Sequence, residues 1–252
     1  MKILELDIET APNKVYAWGL WNQNIGINQI VEPGYTLCWA AKWYGQKGVE
    51  FNSVHHDGEE IMLNRIWELM NEADAIVHYN GNKFDIPTLN AEFVKLGWEP
   101  PNPSHHIDLY RVVRQRFRLP SNKLDYVAQV LGLGKKHSHK GMDLWTECMA
   151  GDDKAWKQMR TYNIQDVVLL EALYTHLLPW IKNHPNHGLY IDEDTMVCTN
   201  CGSSHIQKNG VEHTTTMSYQ RYRCGDCKTP LKGRTNILTK EKKANIILGS
   251  KL

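Results

Sequence analysis

The chain has 252 residues, with 29 Lys+Arg against 28 Asp+Glu for a formal net charge of +1, and 42% of its residues are hydrophobic. That balance excludes a histone-like polycation and an acidic disordered chain, and the length is enough to bury a sizeable core. No stretch approaches the roughly 20 apolar residues that cross a bilayer, and MKILELDIET carries acids where a signal peptide needs an apolar core. A soluble, cytoplasmic protein with no membrane partner is expected.

Residues 2–8, 35–44, 49–54 and 75–79 are rich in branched and aromatic side chains and read as strands. Residues 59–72 place Ile61, Ile66, Leu69 and Met70 near helical spacing, and residues 87–97 start at a proline and stop at a glycine, so both read as helices. The alternation predicts an α/β domain, a mixed sheet flanked by helices. Residues 123–132 and 153–182 read as further helices, the second divided or bent before Pro179. Past Ile181 the apolar periodicity stops. The expected organisation is a main domain over 1–183, a linker over 184–194, a small module over 195–235 and a basic tail over 236–252, either a short helix or frayed.

A module of about 40 residues needs a staple. Of six cysteines, Cys38 and Cys148 are isolated, whereas Cys198, Cys201, Cys224 and Cys227 form two C-x-x-C pairs separated by 22 residues. In a reducing compartment that spacing is a metal site, and it matches a zinc ribbon in which four thiolates close one structural Zn²⁺. His205 and His213 are alternative ligands, but four cysteines already complete the site. Around the second pair, Tyr219, Arg221, Tyr222 and Arg223 interleave aromatic and basic side chains, with Lys228, Lys232 and Arg234 following. Such a platform suits nucleic acid through stacking and phosphate pairing; the alternative is a solvated hairpin with snorkelling arginines.

The acids are more informative. Asp7 and Glu9 lie two apart on the first strand and so share one face. Unless that strand end is solvated, paired like charges require a cation. Asp85 follows the run AIVHY, at a strand end where ligand sites of α/β sheets collect. Tyr162 and Asp166, four apart, share a face of the late helix.

D-I-E-T, then Y-N-G-N-K-F-D, then Y-x-x-x-D, in that order, resemble the three motifs of the DEDD 3′–5′ exonucleases, whose fold is ribonuclease H-like. KLDYVAQVLGLGKK resembles the segment before the third motif in proofreading domains of family-B DNA polymerases, and the resemblance covers residues 1 to about 180. It implies two Mg²⁺ or Mn²⁺ ions held by Asp7, Glu9, Asp85 and Asp166, with Asp7 bridging both, Glu9 and Asp166 completing the ion that activates water, and Asp85 holding the other. Because position 161 is threonine and Tyr162 stands four before Asp166, the chain resembles the tyrosine subclass. A tyrosine pKa near 10 makes Tyr162 a poor base at neutral pH, so its implied role is to orient the attacking water. Among weaker carry-overs, Thr10 offers a backbone amide, Asn80 a strand contact and Phe84 a stacking surface, although Phe84 reads more readily as core. Asp108 resembles an additional acid of some relatives and stays outside the catalytic set.

The resemblance implies a nucleic-acid substrate, DNA favoured, with a single-stranded or fraying 3′ end, and a replication or recombination protein as partner. Similar small stand-alone enzymes are carried by bacteriophages. The alternatives are a structure-specific endonuclease on the same fold and an inactive nucleic-acid-binding protein. A second basic stretch puts Arg111, Arg114 and Arg118 at helical spacing, with KKHSHK at 135–140; such runs are more often solvated faces than strand guides. Residues 1–194 hold 19 Lys+Arg and 25 Asp+Glu, whereas residues 195–252 hold 10 and 3, so the neutral total conceals an acidic and a basic part.

Overall fold

The computed structural model describes residues 1–135, 140–192 and 194–250, and the chain forms two compact units, Lys2–Tyr174 and Thr175–Leu252, with Met1 grouped in the latter. In the first unit, β1 (Ile3–Thr10) is followed by a ribbon of β2 (Lys14–Val15) and β3 (Ile30–Glu32). Then come β4 (Thr36–Trp43), β5 (Glu50–Ser53), α1 (Glu59–Glu72), β6 (Ala75–His78), α2 (Asp85–Lys95) and β7 (His105–Asp108). Four helices complete it: α3 (Leu109–Arg116), α4 (Leu124–Val130), α5 (Met142–Met149) and α6 (Asp153–Leu177), whose last turn enters the second unit. The five-stranded sheet runs β5-β4-β1-β6-β7. β4 pairs antiparallel with β1 and β5, while β1, β6 and β7 run parallel, so their carboxyl ends share one edge.

β1 has two buried faces of opposite character. Leu4, Leu6 and Ile8 pack with Trp39, with Met62, Leu63 and Ile66 of α1 and with Leu89 and Phe93 of α2. Glu5, Asp7 and Glu9 occupy the alternate positions, beside Lys42, Ala40 and Cys38 of β4. That face lies under α6: Lys42 pairs with Glu171 at 2.5 Å, and Cys38 meets Asn163. A second apolar cluster of Leu37, Leu144, Cys148, Trp156 and Met159 seals the α5 and α6 side. Helix 59–72 stands where the apolar spacing predicts it. The long helix ends at Leu177 and passes into a 3-10 turn, Leu178–Trp180, because Pro179 has no amide to continue the ladder. β7 and the β2–β3 ribbon were not expected from the sequence, being too short or too polar to show alternation. The ribbon base is pinned by Ala11 N–H to Tyr35 O at 2.8 Å and Gly34 N–H to Asn13 Oδ1 at 2.6 Å. The loop it carries exposes Tyr16, Leu20, Trp21 and Trp18, the last 97% exposed.

The second unit centres on an antiparallel sheet β10-β9-β8 of β8 (Ile206–His213), β9 (Ser218–Cys224) and β10 (Pro230–Asn236), followed by a short α7 (Lys240–Ala244) capped by Thr239. Within 184–194, His187–Tyr190 forms a 3-10 turn, and His187 N–H donates to Thr199 O at 3.0 Å. Asn200 Nδ2 donates to the carbonyls of Leu178 and Ile181 at 2.7 and 3.1 Å, so the start of this unit is hydrogen-bonded to the first cysteine turn. No helix among the described residues is long and apolar enough to cross a membrane.

At the end of β6 the chain turns tightly over His78. Its Nδ1 accepts the N–H of Gly81 at 3.1 Å, and a Cβ on residue 81 would lie 2.5 Å from the imidazole Cγ, so only glycine fits. Burial, followed by the neighbouring His106, lowers the His78 pKa to about 3. An unfolded histidine titrates near 6.5, so between these values the unfolded chain binds a proton that the folded chain refuses. Stability therefore falls as pH drops through that window, by at most about 1.4 kcal/mol per pH unit for this group. Urea unfolding between pH 7 and 4 should show this slope. His78→Asn, which keeps an acceptor for Gly81, should lose one proton's share of it; an identical slope in the variant would contradict a neutral, buried His78.

Candidate active site

The first-strand acids meet the late helix at the carboxyl edge of the sheet. One carboxylate oxygen each from Asp7, Glu9 and Asp166 lies within 4.8 Å of the others, a grouping that could hold a metal ion. Asp7 and Glu9 are half-buried, and Asp166 is 1% exposed. Three carboxylates so close, one of them buried, repel one another, and a hard cation with oxygen ligands is the partner that such a set fits. Asp85 opens α2 and is also buried; its Oδ1 accepts the N–H of Ile8 at 3.1 Å, between the two β1 acids. That bond ties the fourth acid to the strand bearing the first two.

The remaining expected residues surround this group unevenly. Tyr162 is buried one turn before Asp166, its ring edge-on to Trp145 with centroids 6.1 Å apart. Thr10 is half-buried where β1 slips register against β4. Asn80 takes a left-handed conformation, φ 66°, and its N–H donates to Asp108 Oδ1 at 2.9 Å, so Asp108 shapes the turn after β6. Phe84 is 44% exposed rather than core, because it stands just ahead of α2 instead of on its buried face.

Two polar groups on this face escaped the sequence reading. Asn163 is fully buried, and its Nδ2 donates to Asp7 Oδ2 at 2.7 Å, fixing the orientation of that carboxylate. Its signal was an amide inside a helix next to Tyr162, in a stretch otherwise turning apolar. Glu5 is buried on the acidic face, where burial, with Glu171 adding to it, pushes its pKa up to about 9 despite Lys42, so it is neutral at pH 7. No sequence pattern shows the register that sets Glu5 beside Lys42.

In the second unit, Cys198, Cys201, Cys224 and Cys227 place their sulfurs within 4.8 Å of one another, with Sγ–Sγ separations of 3.5 Å (Cys198–Cys227) and 3.6 Å (Cys201–Cys224). A tetrahedron of about 2.3 Å metal–sulfur bonds has edges near 3.8 Å, so the set fits one ion, consistent with a zinc ribbon. The cysteines are free thiols. His205 faces Asp226 at 3.3 Å and His213 faces Ser218 at 2.8 Å, both outside the sulfur cluster. Strand alternation separates the aromatic and basic residues that the sequence interleaves: Tyr219, Arg221 and Arg223 fall on one face of β9, and Tyr222 joins Cys224 on the other. Lys232 lies 5.3 Å from the Tyr219 ring centroid on the first face, its ammonium paired with Glu212 at 2.9 Å.

Residues 35–178 match the family model of the RNase H superfamily, and the chain belongs to that superfamily. Among individual proteins, it is similar to DNA polymerases. One from Thermococcus litoralis is 26% identical over 196 residues, covering 66% of this chain and 11% of its own length. Another from Pyrococcus glycovorans is 25% identical over 206 residues, covering 71% of this chain and 25% of its own. The solved family B DNA polymerase of Pyrobaculum calidifontis shares the fold, with a TM-score of 0.55 and 20% identity over 71% of this chain and 24% of that one. The chain thus spans between about a tenth and a quarter of the length of these polymerases. Asp85, Asn163 and Asp166 lie inside the family match, whereas Asp7 and Glu9 precede it.

Outer partners that orient a ligating carboxylate carry about 10- to 100-fold in metal affinity. Asn163→Ala should weaken Mn²⁺ binding by roughly tenfold in calorimetric titration while the far-UV circular dichroism is unchanged; undiminished affinity would remove Asn163 from the site.

Proposed function

We propose that the chain is a metal-dependent 3′–5′ exonuclease that hydrolyses phosphodiester bonds of nucleic acid, DNA in preference, with a C-terminal zinc ribbon that helps to bind the strand. The observation that carries this reading is the meeting of Asp7, Glu9 and Asp166, with Asp85 bonded to the same strand, at the carboxyl edge of an RNase H-like sheet. The similarity to DNA polymerases supports a nucleic-acid substrate.

Hydrolysis forms a bond from a water oxygen to phosphorus and breaks the bond from phosphorus to O3′, which leaves as the new 3′-hydroxyl once protonated. The four carboxylates would hold Mg²⁺ or Mn²⁺, which when bound lower the pKa of water and offset charge on the leaving oxygen. The protein supplies position. Asn163 holds the Asp7 carboxylate in one rotamer, and the Ile8 amide does the same for Asp85. Tyr162 serves to orient the attacking water from its place one turn before Asp166. Thr10 and Asn80 offer backbone and amide groups to the terminal nucleotide, and the exposed Phe84 offers a stacking surface. In the second unit, the four thiolates would close around one Zn²⁺ with no open position, giving it a structural role, and Tyr219, Arg221 and Arg223 present the strand-binding face, with Tyr222 behind them. A replication or recombination protein is the fitting partner.

A 5′-labelled single strand with Mg²⁺ or Mn²⁺ should yield a ladder shortening from the 3′ end. Asp7→Asn should reduce turnover by about 10²- to 10³-fold, on the order of losing a principal transition-state contact, while strand binding persists. Cutting of a covalently closed circular strand would instead favour the structure-specific endonuclease reading, and turnover surviving in Asp7→Asn would displace the carboxylate site altogether. The purified chain should contain one zinc, and Cys224→Ser should lose it together with affinity for long strands, leaving short-substrate cleavage largely intact; equal losses at every length would contradict the ribbon's role in strand binding.

A further inference from the structure

The edge that carries the carboxylates extends past them. β1, β6 and β7 run parallel, so the turn at Asn80 and the end of β7 at Asp108 stand on the same side of the sheet as Asp7 and Glu9. There a cleft of about 570 Å³ is lined by Asn80, Lys83, Asp108, Tyr110, Arg111 and Arg114. A second, of about 560 Å³, shares Asn80 and Tyr110 and continues to Tyr79, Lys123 and Asp125.

The charge in this cleft is unusual for a solvated face. Arg111 and Arg114 are exposed and three apart, so they project from the same side of α3, whose sequence LYRVVRQR contains no acid. Among the described residues, neither guanidinium nor the Lys83 ammonium has an ion-pair partner. Arg65 on α1 shows the contrast, bonding Glu50 at 2.5 and 3.0 Å and Glu68 at 3.1 Å. The carboxylate in the cleft wall, Asp108, is buried and already engaged, accepting the N–H of Asn80 and, at 3.4 Å, that of Arg111 as the cap of α3. It holds the wall in shape and forms no ion pair with Arg111, Arg114 or Lys83. Arg118, expected on the same helical face, lies beyond α3, which stops at Arg116 ahead of Pro120, and it does not line the cleft. KKHSHK falls largely outside the described residues.

Cations without ion-pair partners around a groove, with Tyr110 where the two clefts meet, match a polyanion that also carries flat rings. We propose that this cleft binds the phosphodiester backbone of the substrate strand away from the cut bond, with Arg111, Arg114 and Lys83 pairing its phosphates; this rests on the exonuclease reading. The cleft then sets a preference for strands longer than the terminal nucleotide.

The test separates the cleft from the chemistry. Binding of a fluorescent single-stranded oligonucleotide is followed against salt in the Asp7→Asn background of the full chain, and hydrolysis is followed with thymidine 5′-p-nitrophenyl phosphate, which has no further internucleotide phosphate for the arginines to pair, and with the long strand. Arg111→Ala/Arg114→Ala should lower strand affinity about tenfold. It should also make the plot of log affinity against log salt shallower by about 1.4, the share of two phosphate contacts on a single strand. The nitrophenyl ester should be hydrolysed as by the parent, and Arg→Lys at both positions should restore the slope. An unchanged slope and affinity, or an equal loss on the nitrophenyl ester, would overturn the cleft. If the salt slope shifts as expected but no strand is ever cleaved, the cleft stands as a nucleic-acid site and the exonuclease reading is the one that fails.

Discussion

Everything in the first unit is arranged around three acids on one face of its central strand. Glu5, Asp7 and Glu9 alternate with the apolar residues of β1, in a place where a row of like charges is costly to bury. The fold resolves the problem differently along the strand. At Glu5, burial keeps the carboxyl neutral while Lys42 is occupied by Glu171. At Asp7 and Glu9 the face opens at the sheet edge, and α6 adds a third carboxylate rather than a cation. Bringing in another negative group is unfavourable for stability alone, which is why this end of the strand reads as a site and the other as a core.

Much of this was legible in the sequence where a local pattern carried it. Helix 59–72 has the apolar spacing that its burial against β1 requires, and D-x-E with Y-x-x-x-D holds the three carboxylates that meet at the sheet edge. The illegible parts depend on register and on where elements stop. Glu5 becomes a buried neutral acid only because β4 sets Lys42 beside it. Asn163 acts on Asp7 across 156 positions of sequence. The arginines after β7 resolve into two that line a cleft and one beyond the helix end, a distinction made by Pro120 rather than by spacing. On β9, interleaving along the sequence became separation onto two faces, because a strand alternates.

The second unit solves a different problem. Its strands bury little, and residues 195–252, hairpins and tail together, carry 10 Lys+Arg against 3 Asp+Glu. Four sulfurs converge where an apolar core would otherwise be needed. Its net positive charge offsets the acidic balance of residues 1–194, so a polyanion repelled by one part is attracted by the other.

The placement of Tyr162, Asn163 and Asp166 within five residues of a single helix makes the site a matter of helical phase. Each residue advances an α-helix by about 100°, so Asn163 and Asp166 address β1 only while the two residues between them number two. One residue gained or lost there would swing Asp166 away from Asp7 without touching either side chain. Loops elsewhere in the chain can lengthen over evolutionary time; the two residues between Asn163 and Asp166 can change their letters but not their count.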